Sequence, residues 1–579
     1  MSATRPALAL IGLGVRLPGA DTPDALWRAL REARRDAFGD RLPDEEPSIK
    51  ASYGVPPVQR RSLARLQLLM LQVADDALAD ARLLGEGTDH ARTDVICGTC
   101  AGFDRTYANA MRVASTRAID LWLDRRTAAG LAPADPDGLR NRLRQSLRRR
   151  YGASPYDRVG EMASTIPARI SMAFGLRGRA MAVEALDGTG FAAVEIAARN
   201  LRLGRCDTAL VVVGQRIEGE WLPRALGAKW LISDPPGAPL ALGGRGFRLG
   251  EGIIGLVLRR HADAQSAGQR VIATLDGFGR GHDSRRGSFR YPTAVDVRAD
   301  ALRTACAEAG IAPAGLGYVE CFGSGIGTEE RLELDGLLEA GVGPTAIGSS
   351  KWVFGHTFAA SGLLGIAKMA LALRARELPA EVLGGVDGEA VAPFRRPEAP
   401  EPWPADRRHA AVLGSGLDGS AYAVVLGAAR AASPITAAPS VEPIALVSYG
   451  GRFAQADNAQ RFWENIAHGR DLIGPLPESV LPARTFVRAQ GVDMLSSYTA
   501  VGTCLTPPEA PPDGVKMPRK RSLALDAAQR HALHAGAELF ARRARDGRPP
   551  PPGRGMVVVA SSLCLDAERR SLVRERIGD

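Results

Sequence analysis

Apolar runs and amphipathic helices alternate along the first three quarters of the chain. ALALIGLG at 7–14, TDVICGTC at 93–100, TALVVVG at 208–214 and GIIGLVLRR at 252–260 read as buried strands. Segments 299–309 and 361–373 repeat their apolar residues at helical spacing. This alternation predicts an α/β domain around a buried sheet. Two proline-rich passages interrupt it: 389–405 reads as an extended surface segment and 429–443 as a linker.

After that linker the opening of the chain recurs. Leu8–Arg16 aligns with Ile444–Arg452, and at the same offset Asp21 meets Asp457 and Trp27 meets Trp463. RSLA at 61–64 returns at 521–524, each time opening an amphipathic helix, and MVVVASSL at 556–563 reads as a strand. A shared offset points to duplication. The expected organisation is a first domain at 1–428, a linker at 429–442, and the truncated beginning of a second copy at 443–579, as in a fragment of a longer polypeptide.

With 579 residues the chain exceeds one ordinary hydrophobic core, and its composition is that of a folded protein. The apolar stretch nearest to a membrane span, Leu363–Leu373, is short of the roughly 18–20 residues required and contains Lys368. With no signal-peptide pattern at Met1, a cytoplasmic location without membrane contact is expected. Seven scattered cysteines suit a reduced interior. Cys97 and Cys100 have no second pair or nearby histidines, so no metal site is expected. The formal charge of +10 is mild; its densest stretch, Arg142–Arg150, reads first as a solvated helix face. An acidic partner comes second, and nucleic acid is not expected because no aromatic platform accompanies the charge. Gly12-x-Gly14 is discounted as a dinucleotide loop, because Leu17 takes the place of the third glycine and Pro18 follows. Gly323-x-Gly325-x-Gly327 lacks the Lys-Ser/Thr of a phosphate loop.

In order, LALIGLGVRLPGADTPDALWRAL, ARISMAFGLRGRAMAVEALDGTGFAAVEIAARNLRLGRCDTALVVVG, FRLGEGIIGLVLRR, GYVECFGSGIGTEERLELDGL, IGSSKWVFGHTFAASGLLGIAKMALAL and AAVLGSGLDGSAYAVVL resemble the β-ketoacyl synthases of fatty-acid and polyketide synthesis. The resemblance spans residues 6 to about 428. It implies a thiolase-like layered α/β/α/β/α fold, a dimer, no bound cofactor, and substrates carried on the phosphopantetheine of an acyl carrier protein.

The departures from the family pattern decide the chemistry. Where the family holds its nucleophilic cysteine, Val183–Phe191 reads VEALDGTGF and puts Asp187 at that position. A carboxylate is a poor acyl carrier, whereas chain transfer needs a thiolate, so Asp187 is expected to cap the following helix. Phe322 replaces the first histidine, a hydrogen-bond donor to the thioester oxygen. Cys321 beside it points elsewhere on a strand end and is not expected to substitute. Lys351 and His356 keep the family spacing. In the closing strand, Leu417 replaces the gate-like aromatic, and Ala421 and Ala423 replace Asn and His. Leu417 and Phe191 are expected to line the substrate cavity.

The resemblance together with these losses implies a non-condensing protein, akin to a chain-length factor and paired with an active ketosynthase. A malonyl-thioester decarboxylase relying on His356, another acyltransferase of altered chemistry, and a carrier-protein docking module are the alternatives.

Overall fold

The computed structural model describes residues 7–33, 41–45, 47–85, 87–100, 104–152, 154, 156–218, 221–234, 236–283, 291–381, 391–430, 443–488, 496–545, 555 and 557–561. The expected linker lies mostly outside these, at 431–442. Two compact units emerge: residues 1–104 with 163–439, and residues 105–162 with 440–579.

The first unit is built on ten strands: β1 (Leu8–Arg16), β2 (Thr93–Gly98), β3 (Ala180–Val183), β4 (Thr208–Gln215), β5 (Gly252–Arg260), β6 (Ala273–His282), β7 (Leu316–Glu320), β8 (Ala346–Gly348), β9 (His409–Ser415) and β10 (Ser420–Gly427). They run in the order β3-β2-β4-β5-β1-β6-β10-β9-β7-β8. Read from the middle outward, the two halves are the same. β1 and β6 meet antiparallel; each pairs antiparallel with β5 or β10, which pairs antiparallel with β4 or β9; beyond these lie two parallel neighbours. The chain has thus used one strand pattern twice within this unit.

The helices explain the layering. α1 (Pro23–Arg31) follows β1, with Pro23 in its first turn and the Thr22 hydroxyl accepting from Ala25 N at 3.2 Å. α2 (Arg65–Asp80) and α3 (Thr165–Phe174) cover the outer face of the first half-sheet. α4 (Thr189–Arg202) belongs to the core between the half-sheets, whereas α5 (Val295–Ala309) and α6 (Gly327–Ala340) cover the outer face of the second half. α7 (Ser361–Ala375) lies in the middle core with α4. Helices, half-sheet, helices, half-sheet, helices is the α/β/α/β/α order.

Gly12 and Gly14 receive their explanation here. A Cβ at either would lie 2.4 Å from a carbonyl oxygen of α2, and one at Gly277 or Gly279 of β6 would lie 1.9 or 1.8 Å from one of α5. Each first strand of the two halves therefore carries a Gly-x-Gly that lets its covering helix touch the backbone.

Phe358–Ala375 is longer as an apolar stretch than the sequence suggested: it is long and apolar enough to cross a membrane by length and composition, and 83% of it is buried in this core. Its Lys368 ammonium sits 2.7 Å from Glu320 and 2.6 Å from Glu381, whose carboxylate also accepts from the Tyr318 hydroxyl at 2.6 Å. An unpaired charge at this depth is prohibitive, and the two carboxylates are what admit the lysine.

In the second unit, helix Ala459–Ala467 has the bounds of α1 at the repeat offset, and Asn458 caps it as Thr22 caps α1, accepting from Arg461 N at 2.9 Å. The tight turn preceding it also recurs, as Leu17 pairs with Ala20 and Phe453 with Ala456. Ile444–Val447, the counterpart of β1, is exposed and forms no strand with the other described residues. Residues 105–162 and 440–579 hold 31 basic and 21 acidic side chains, so the whole net charge falls in this unit. In its basic helix Pro136–Tyr151, Arg140 and Arg144 engage Asp120 at 3.0 and 2.9 Å, while Arg142, Arg149 and Arg150 face solvent.

A side chain at Gly362, where α7 meets α4, would come within 2.7 Å of the Phe191 ring. Gly362→Val is expected to destabilise the first unit by about 1–3 kcal/mol through overpacking, read as a lowered melting midpoint by circular dichroism. An unchanged midpoint would contradict this packing.

Candidate functional site

Three turns converge where α4 and α7 begin. The first joins β3 to α4. Leu186 is held at φ +51°, a left-handed conformation costly for a leucine. Thr189 locks it, its hydroxyl accepting from Ala185 N at 2.8 Å and donating to Leu186 O at 2.6 Å. Gly188 leaves room for the Tyr422 ring, 2.5 Å from where a Cβ would stand. Asp187 is thereby turned inward and is 2% exposed.

The second turn follows β7. Two α6 carboxylates hold it: Glu333 accepts from Phe322 N at 2.6 Å and Gly323 N at 3.0 Å, and Glu330 from Gly325 N at 2.9 Å. Phe322 projects into the core, its ring meeting Tyr291 edge-on at 5.0 Å and His356 at 5.4 Å. Cys321 belongs instead to the outer core under α5 and α6, where burial drives its thiol pKa well up.

The third turn follows β8. Glu320 accepts from Ser350 N at 2.6 Å, and Gly355 sits at φ +69° against Arg248 O. His356 donates its backbone N–H to Arg248 O at 2.7 Å. Its ring is fully buried among Phe247 at 4.8 Å, Phe322, and Phe358 at 5.4 Å.

The sequence-predicted residues Asp187, Phe322, Lys351 and His356 are therefore brought together. Asp187 Oδ2 lies 3.5 Å from His356 Nε2, and the buried Tyr291 hydroxyl also interacts with the Asp187 carboxylate. Burial lowers the His356 pKa to about 4, against the opposing pull of Asp187, so the imidazole is neutral near pH 7. Burial, reinforced by the Asp187 carboxylate, holds the Tyr291 hydroxyl neutral. Lys351 donates to Phe322 O, stands 4.1 Å from the Phe322 ring centre, and has its pKa lowered by burial to about 8.

Three expectations are corrected. Asp187 does not cap α4, whose N-terminus receives no side-chain bond; its Oδ1 accepts from Leu417 N at 2.9 Å instead, reaching across to the turn between β9 and β10. Leu417 and Phe191 are not among the residues lining the pocket at this end of the unit. Both lie in the middle core, Phe191 stacked on Tyr422 at 5.3 Å. The pocket at this end of the unit, about 290 Å³ counted to its mouth, is lined by Pro239, Phe247, Arg248, Ser324, Lys351 and Trp352 among others. Phe247 borders both this pocket and the His356 ring.

Sequence reasoning passed over Glu330, Glu333 and Tyr291. For the two glutamates the available signal was paired carboxylates three residues apart at a helix start, directly after a glycine-rich turn. Tyr291 carried no signal. Among the described residues no group of three or more His, Cys, Asp or Glu could hold a metal ion.

The model of the β-ketoacyl synthase N-terminal domain matches residues 6–264 and again 441–572, and that of the C-terminal domain matches 272–383. A mycocerosic acid synthase-like polyketide synthase of Mycolicibacterium smegmatis is 31% identical over 451 residues, 75% of this chain and 21% of that protein. A mycocerosic acid synthase-like polyketide synthase of Mycobacterium tuberculosis is 29% identical over 456 residues, again 75% of this chain and 21% of its own length. The chain thus spans about a fifth of the length of these curated relatives. Among solved structures, the oxazolomycin ketosynthase domain OzmH KS7 of Streptomyces albus JA3453 aligns with TM-score 0.60 at 22% identity, covering 74% of this chain and 76% of that one. The ketosynthase from module 6 of the bacillaene synthase of Bacillus subtilis 168 aligns with TM-score 0.59 at 21% identity, covering 73% and 72%. These structures establish the fold.

Because the folded pKa of His356 lies below its ordinary 6.5, its contribution to stability is full above pH 6.5 and is lost as pH falls toward 4. The slope approaches about 1.4 kcal/mol per pH unit in that window. Denaturation midpoints at stepped pH should fall more steeply for the wild type than for His356→Gln; parallel curves would show that the imidazole titrates alike in the folded and unfolded chain.

Proposed function

Starting from the premise that the chain belongs to the β-ketoacyl synthase family, we propose that it is a non-condensing component of a polyketide synthase, akin to a chain-length factor and partnered with an active ketosynthase. One observation carries this reading. At the turn where an acyl group would be tethered, a carboxylate faces inward and is itself bound to a backbone amide. Carbon–carbon bond formation by thioester transfer needs a nucleophile whose acyl adduct survives, and an acyl-aspartate is a labile anhydride. The site also lacks a donor at Phe322, a change that typically costs on the order of 10²–10³ in rate.

The framework supports a partner role. β3 ends the sheet, with Ala180 and Ala182 exposed and no strand on its outer edge among the described residues. Such an edge invites pairing with a like strand, and a ketosynthase of the same fold offers one. The polyketide setting rests on the relatives named above, and substrates would arrive on the phosphopantetheine of an acyl carrier protein. The stretch 443–579 is read as the opening of a second ketosynthase-like domain. A second reading, malonyl-thioester decarboxylation, is favoured by the buried, neutral imidazole of His356 at this turn.

The reading predicts that the wild-type protein takes up no acyl group from acyl or malonyl thioesters by intact mass spectrometry, co-purifies with an active ketosynthase, and changes product chain length when omitted. Unchanged products in its absence would refute the partner role. Acetyl thioester formed from a malonyl carrier protein by wild type and not by His356→Ala would establish decarboxylation in its place.

A further inference from the structure

Helix Asp104–Ala128, in the second unit, turns Thr116, Asp120 and Leu123 inward. Helix Pro136–Tyr151 docks there, with Arg140 and Arg144 bound to Asp120. Asp124 pairs with Arg484 at 3.1 Å. These are the only carboxylates between Thr106 and Ala128, so the remainder of that stretch has none.

The outward side is different in kind. Val113, Arg117, Leu121 and Arg125 recur at every fourth position and therefore share one stripe, with Trp122 and Arg126 beside it. All six are exposed; Val113, Leu121 and Trp122 keep 45%, 49% and 45% of their surface in water. Arg117 and Arg125 have no ion pair among the described residues. Arg126 stands 5.3 Å from the Trp122 ring centre and donates to Leu131 O at 3.2 Å, which holds guanidinium and indole together.

A merely solvated helix face mixes both signs of charge. The helix dipole accounts for cations in the last turn, at Arg125 and Arg126, but gives no reason for Arg117 or for the apolar side chains. Tryptophan and arginine are the residues that dominate binding energy at protein interfaces, and an indole already held in position loses little freedom on contact. Charge indicates the partner. This unit holds 31 basic and 21 acidic side chains, a field that draws in a partner of opposite sign. A lipid surface would ask for an unbroken apolar face. Here apolar and cationic residues alternate along the stripe, which suits a helix carrying carboxylates beside its apolar positions.

We propose that the face from Val113 to Arg126 is a docking surface for an acidic amphipathic helix of a partner protein. Its apolar side chains cover Leu121 and Trp122, and its carboxylates pair with Arg117 and Arg125. The proposal does not depend on the chemistry at Asp187.

The probe is a synthetic helical peptide with leucines at i, i+3, i+4 and i+7 and glutamates between them, labelled with fluorescein and titrated with the full chain by fluorescence anisotropy. Saturable binding is expected. Trp122→Ala should weaken it about tenfold, as should Arg117→Glu combined with Arg125→Glu, and added salt should weaken it for the wild type. A peptide of the same composition with its leucines scattered should not bind. Circular dichroism melts check the fold of each variant, and Leu121→Gln and Arg125→Gln replace any that melts below the wild type. Absence of saturable binding, binding that these substitutions leave unchanged, or equal binding of the scattered peptide would overturn the proposal. So would co-sedimentation with phosphatidylserine–phosphatidylcholine vesicles without peptide binding, which would assign the face to a lipid surface.

Discussion

Gly190 and Gly362 let the two central helices approach until backbone lies against side chain, and the geometry of the site follows from that contact. A Cβ on Gly190 would stand 2.9 Å from Leu363, and one on Gly362 would press on Phe191. The helices begin side by side, so the turns that precede them, one from each half of the sheet, present Asp187 and His356 to each other. The repeated strand order makes this meeting possible: equivalent turns from the two halves arrive at one place. Glutamates then hold the turns by their amides, with Glu333 and Glu330 under the Phe322 loop and Glu320 at the start of the His356 loop.

Inside this frame the surroundings of His356 are aromatic. Phe322, Phe247 and Phe358 enclose a neutral imidazole, Lys351 lies on the face of Phe322, and Phe247 and Lys351 also border the pocket. Aromatic rings are large, cheap in conformational entropy and tolerant of a neighbouring cation, which suits them to pack around a buried imidazole. The carboxylate–amide bonds and the Lys368 pair belong to the framework that holds these rings in place.

Much of the fold was legible in the sequence, since apolar runs and glycines are set by local periodicity and by close approach, and both leave a mark at fixed positions. The four positions Asp187, Phe322, Lys351 and His356 were legible for a related reason: each occupies a set place in a turn whose neighbours are readable. What those side chains touch was not. Asp187 was expected to serve its own helix, but its partner, Leu417, lies 230 positions away. Phe191 and Leu417 read as cavity walls and proved to be core, because whether an apolar residue faces a void depends on what fills it from elsewhere, here Tyr422 and the central helices. Lys368, noted only as a charge interrupting an apolar stretch, was the visible half of a buried pair whose other members come from two different turns.

The sheet order carries a consequence for the repeated segment. In the first unit β1 and β2 never touch; β5 and β4 stand between them. In the second unit Ile444–Val447, the counterpart of β1, and the apolar Val557–Val559 both hold their side chains in water. Unpaired, apolar and β-prone backbone of this kind is adhesive. In concentrated solution these two short stretches, rather than the charged helices around them, would govern whether the polypeptide stays dispersed.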